Sequence, residues 1–169
     1  MMEGERDERG ASIISYTVAS GATHGLLWGN RAFPIIAFGK GFTGVSHWAY
    51  NTSTGSTWHA WDGKPWLDYL FVYDGTEDHS FNHAWNPTGE TLVPSIRWEA
   101  VRAGVQDAHV LMWLQQSLEQ DRLRGETATR AGEALAQAMA LAEGEASVTD
   151  AGVAQLSREL REIYVAASR

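Results

Sequence analysis

Aromatic side chains are confined almost entirely to one half of this chain: of its 18 Phe, Trp and Tyr residues, 15 fall between Trp28 and Trp98, and beyond Trp113 only Tyr164 remains. The first half must therefore bury or present large flat rings. The second half, rich in Ala, Leu and charge, has the composition of amphipathic helices. At 169 residues the chain matches the usual size of one domain. With 44% apolar and 20% charged residues it can bury a core, which excludes wholesale disorder.

Charge and cysteine usage remove several function classes. Thirteen basic residues against 21 acidic ones give a net charge of -8. No Lys/Arg stripe is present to neutralise phosphates, so nucleic acid is not an expected partner. Cysteine is absent, which excludes a disulfide framework, a thiolate nucleophile and a Cys-based zinc site. The first residues, MMEGERDERG, are charged where a secretory signal needs an apolar run, and no stretch of about 18 apolar residues occurs. No membrane partner is expected, and the compartment is left open.

Local patterns divide the chain into a charged segment (1–12), a mixed segment (13–124) and a helical one (125–169). Ile13 to Val18 is short and β-branched before Ser20-Gly21, which predicts a strand. Asn30 to Phe38 predicts a short helix, with Asn30 as cap and Pro34 in the first turn, closed by Gly39 and Gly41. Thr43 to Tyr50 predicts a second strand. From Asn51 to Val93 (51–93) no segment holds a period although the rings are dense, as in an ordered functional loop. Ser95 is placed to cap a long helix to about Gln120, with Val101, Val105, Ala108, Leu111, Met112, Gln115 and Leu118 on its inner face. Two further helices are lined by Ala131, Leu135, Met139 and Ala142, and by Val153, Leu156, Leu160 and Ile163, with Thr149 or Asp150 capping the second.

Several motifs have a bland reading that outweighs the chemical one. Gly39 to Gly44 spells G-x-G-x-x-G, but it leaves a helix and enters a strand. A dinucleotide fingerprint needs the reverse order, so a helix-to-strand turn is the better reading. His79 and His83 have metal-ligand spacing only if helical, and nothing else there predicts a helix. No metal or cofactor is expected. Asn51-Thr52-Ser53 is a formal glycosylation sequon without a signal peptide. The carboxylates of the aromatic half, Asp62, Asp68, Asp74, Glu77, Asp78 and Glu90, include no adjacent Asp-Glu pair at a strand end, as acid/base work on a glycosidic bond would favour. The rings carry more information. Trp and Tyr offer an apolar face with a polar edge, suited to sugar C–H faces as well as to a core, and Trp48, Trp58, Trp61 and Trp85 are the candidates.

Two blocks carry a family resemblance: Arg31 to Asn51 (RAFPIIAFGKGFTGVSHWAYN) and Val93 to Leu114 (VPSIRWEAVRAGVQDAHVLMWL). The second contains Pro94-Ser95-Ile96-Arg97 followed by Glu99, Arg102, Gly104 and Asp107, a pattern P-S-I-R-x-E-x-x-R-x-G-x-x-D. Together they resemble the end of the catalytic barrel in proteins similar to glycoside hydrolase family 123, catalogued as domain of unknown function 4091. The resemblance spans about residues 13–118. It departs from the pattern between Asp74 and Leu92, where Tyr73-Asp74-Gly75 and Trp85-Asn86-Pro87 replace the usual turns.

The resemblance implies an α/β fold: the C-terminal part of a (β/α)8 TIM-like barrel, about two barrel strands plus helices, followed by C-terminal helices. Ile13 to Val18 and Thr43 to Tyr50 would be its last two strands. Such a barrel needs about 250 residues, so a missing N-terminal barrel portion or self-association is expected to complete it. Characterised relatives resemble retaining hexosaminidases using an adjacent Asp-Glu pair on an earlier strand, so no catalytic residue is expected here. Carbohydrate is the expected ligand, met by Tyr16, Trp48, Tyr50, Asn51, Trp58 and Trp61. The alternative is a non-catalytic carbohydrate-binding or protein-interaction module. Arg97, Glu99, Arg102 and Asp107 are expected to dock the helix rather than contact substrate.

Overall fold

The computed structural model describes residues 13–17, 27–47, 72–74, 92–94, 96–144 and 146–168. Its elements are β1 (Ile14–Thr17), a π-helical segment (Leu27–Ala32), α1 (Phe33–Gly39), β2 (Gly44–His47), β3 (Val72–Asp74), β4 (Leu92–Pro94), α2 (Ile96–Glu119), α3 (Gly125–Glu143) and α4 (Asp150–Ala167).

The expected barrel is not what these residues form. Helix dominates them, and their parallel sheet has two strands, β1 and β2. Strands β3 and β4 pair antiparallel in a separate sheet. A barrel closes only when each parallel strand is hydrogen-bonded on both sides. The local sequence signal was a strand–helix–strand unit, which is real: β1 and β2 run parallel in the register Ile14–Gly44 to Thr17–His47, joined through the π segment and α1. That unit is common to many folds, and here its helix packs on other helices. The antiparallel pair also corrects the reading of 51–93 as irregular throughout, since three-residue strands are too short to show a period.

The core lies between helices. Leu111 and Leu114 of α2, Ala131, Ala134, Ala138 and Leu141 of α3, and Val153, Leu156, Leu160 and Ile163 of α4 bury together with Ala32 and Ile35. The face of α4 is the one its spacing predicts, with Ser157 added, and Thr149 caps it by accepting a hydrogen bond from the Gly152 N–H at 3.1 Å. The other two faces are rotated from expectation. In α2 the buried stripe is Val101, Gly104, Asp107, Leu111, Leu114 and Ser117, while Met112 is exposed. In α3 it is Ala131, Ala134, Ala138, Leu141 and Ala142, while Met139 is exposed.

Small residues explain the rotation. An added Cβ at Gly39 of α1 would sit 2.5 Å from the Ala142 Cβ and 3.0 Å from the Ala138 carbonyl oxygen. Helices α1 and α3 thus approach through Gly and Ala, leaving no room for Leu or Met at the contact. At the other side, Trp113 of α2 meets Tyr164 of α4 edge-to-face, with ring centroids 5.1 Å apart.

The first helix also begins differently. Asn30 does not cap it; Asn30 is buried within the π-helical segment, and α1 starts after Ala32 with Pro34 in its first turn. Gly41, at φ 71, turns the chain out of α1 into β2, so the glycine motif is the helix-to-strand turn its order suggests.

Candidate functional site

The strand pair presents two unlike faces. Side chains alternate along a strand, and register partners in a parallel pair share a face. Ile14, Gly44, Tyr16 and Ser46 therefore lie on one face; a Cβ at Gly44 would meet Ile14 Cγ1 at 3.5 Å. This face is open: Ile14 is 60% and Tyr16 56% exposed, and Ser46 is exposed beside it. The pair is tied at its start by Thr43, whose backbone N–H and Oγ1 both donate to the Ile13 carbonyl, at 2.9 and 3.0 Å.

The opposite face carries Val45 and meets helix. There, between α1, β2 and α2, is an apolar cavity of about 210 Å³, lined among others by Phe38, Phe42, Val45, Val105, His109 and Met112. Its wall offers Thr43 and His109 as side-chain polar groups, so it suits an apolar group better than a sugar.

A polar cluster is buried deeper, where the π segment, α2 and α4 meet. Ser157 donates to the Asp107 carboxylate, with Oγ 2.8 Å from each oxygen. Arg31 approaches the same carboxylate with Nη2 at 3.3 Å and Nε at 3.4 Å, and also donates to Ser157 Oγ. Burial pushes the Asp107 carboxyl above its ordinary value, opposed by the Ser157 hydrogen bond and by the Arg31 charge. The expectation that Asp107 docks its helix is met by this geometry. Glu99 and Arg102 instead pair with each other on the surface of α2, with a shortest distance of 2.6 Å.

Of the expected carbohydrate-contacting residues, Tyr16 stands on the open face. Trp48, Tyr50, Asn51, Trp58 and Trp61 lie outside the described residues, as do Trp85, His79, His83 and the carboxylates other than Asp74. Asp74 belongs to β3. Ser46, beside Tyr16, was not singled out by sequence reasoning; only the register of a parallel pair could have found it. Among the described residues no group of three or more His, Asp or Glu is placed to hold a metal, and no helix is long and apolar enough to cross a membrane. No family model, curated protein or solved structure matches the chain.

Proposed function

We propose that this chain is a non-catalytic segment of a glycoside hydrolase-like protein, and that it supplies carbohydrate-binding surface without the catalytic acid pair. The observation that carries this reading is the open face of β1 and β2, where the Tyr16 ring stands exposed beside the Ser46 hydroxyl. A ring for stacking on sugar C–H groups next to a hydroxyl for hydrogen bonding is the minimal chemistry of a sugar subsite. The sequence continues from β2 into Trp48, Tyr50 and Asn51, which add residues of the same kind.

The test is a titration of the chain with N-acetylhexosamine oligosaccharides, followed by NMR of Tyr16 and Ser46. Binding that weakens at least about tenfold in Tyr16→Ala, at unchanged melting temperature, supports the reading; a tenfold loss corresponds to ~1.4 kcal/mol. Equal binding by wild type and Tyr16→Ala, or no binding at millimolar sugar, sinks it.

One observation favours a second reading, an interaction module. Exposed Ile14 shares the face with Tyr16, and among the described residues each strand of the parallel pair has a partner on one side alone. Parallel sheets are usually covered on both faces, and open edges accept further strands. An upstream portion of the same protein, or a second copy, would fill that role. Sedimentation across a concentration series separates the two: a monomer that binds sugar fits the first, and a dimer broken by Ile14→Lys fits the second.

A further inference from the structure

Arg31, Asp107 and Ser157 are far apart in sequence and join three elements at one buried point. The π-helical segment brings Arg31, α2 brings Asp107, and α4 brings Ser157. We propose that this cluster is a proton-operated latch: protonation of Asp107 releases Arg31 and loosens the segment Leu27–Ala32 while α2, α3 and α4 stay packed.

The geometry makes Arg31 the partner that leaves. Its bonds to Asp107, at 3.3 and 3.4 Å, are longer than the 2.8 Å between Asp107 and Ser157, and its remaining bond is to Ser157 Oγ, the same atom to which the protonated acid donates. Its side chain is also the more exposed of the ion pair, at 19% against 10% for Asp107, so water is within reach of the guanidinium. Ser157 suits either protonation state of Asp107. Its hydroxyl donates to the carboxylate, and it can accept from the protonated acid while its own hydrogen turns to the carbonyl four residues back in α4. The Asp107–Ser157 link between α2 and α4 thus survives protonation, and the charge-assisted link to Arg31 does not.

Among the described residues, the charges facing Asp107 come from two elements: Arg31 on the π segment, and Arg161, acting alongside the Ser157 hydroxyl, on α4. Helix α3 faces the same core with alanines and a leucine. Both cations hold the carboxyl ionised, and burial opposes them. The balance moves the titration upward from that of a free aspartate. The latch is closed while the carboxyl is ionised, and its protonation as pH falls opens it. The π-helical turn itself, with one residue more per hydrogen-bonded ring than an α-helix, is a form often found at functional sites.

The experiment uses the full chain. Carbon-13 NMR follows the Asp107 carboxyl from pH 7.5 to 4, and hydrogen exchange, corrected for intrinsic rates, follows the amides of 27–32 and 150–167. The latch predicts that protection of 27–32 falls about tenfold in step with the Asp107 titration while 150–167 is unchanged. Asp107→Asn should show the low-pH protection already at pH 7, with no pH step. Ser157→Ala keeps the ion pair and should keep the step, shifted in pH, so the test stands even if the Asn variant fails to fold. Protection of 27–32 that ignores the Asp107 titration, or that falls together with that of 150–167, overturns the proposal.

Discussion

Gly104 of α2 lies so close under the carbonyl of Arg31 that a single methyl group at position 104 would overlap that oxygen. The close approach and the Asp107 contact are three residues apart, on adjacent turns of one helix face. Together they seat the π-helical segment against α2. Gly104→Ala would push against backbone rather than a movable side chain, so it should cost about 1–3 kcal/mol. Gly132 of α3 is the internal control, since a Cβ there meets nothing within 4 Å. Gly132→Ala should stabilise by about 0.5–1 kcal/mol, because alanine loses less entropy on entering a helix. Urea denaturation of the two variants checks both signs.

Removing Arg31 should give a pH-dependent loss. The Asp107 carboxyl is raised in the folded chain, so its contribution is fully present below its unfolded value near 3.8 and declines as pH rises through the folded value. Without Arg31 the buried carboxylate loses its ion-pair partner and keeps the Ser157 hydrogen bond and the Arg161 charge, and its folded value rises further. Arg31→Ala should therefore cost about 3 kcal/mol at pH 7 and progressively less as pH falls toward 4. A loss of equal size at both pH values would show that Arg31 acts through packing alone.

Residues of the core and the surface should separate sharply where hydropathy alone would equate them. Leu111 and Leu156 are fully buried, whereas Met112 and Met139 are exposed. Leu111→Ala or Leu156→Ala should cost about 2–5 kcal/mol. Met139→Ala should change stability by no more than about 0.5 kcal/mol. Thermal melts of the series test whether α3 faces the core as the structure has it.

The α1–α3 contact predicts the opposite sensitivity, to added volume. Ala138 is fully buried, and its carbonyl lies against Gly39. Ala138→Leu should destabilise by about 1–3 kcal/mol even though it improves hydropathy. A stabilised variant would mean that the helices can separate without cost.

The surface ion pair of α2 and the cap of α4 should differ in size. Glu99 and Arg102 are both about half exposed, so Arg102→Ala should cost at most about 0.5 kcal/mol, less in high salt. Thr149→Ala removes the acceptor for the Gly152 N–H and should cost about 1 kcal/mol. Chemical denaturation at low and high salt distinguishes the two.

The sequence by itself determined what depends on neighbours a few residues away. The 3.6-residue period marked α2, α3 and α4, Thr149 was one of two candidate caps for α4, and short runs at Ile13 to Val18 and Thr43 to Tyr50 marked β1 and β2. It also exposed Tyr16 and Asp107 as residues to watch, through strand position and motif. The tertiary structure decided how the elements meet. A strand–helix–strand unit looks the same whether its sheet closes into a barrel or stops at two strands, because ladder partners come from distant sequence. Helix faces were set by close approach at Gly39 and Gly104, where absence of a side chain, which hydropathy scores as nothing, controls the packing. The joining of Arg31, Asp107 and Ser157 was invisible for the same reason. Each is a polar residue that would ordinarily face water, and only the folded chain brings the three near enough to compensate one another's burial.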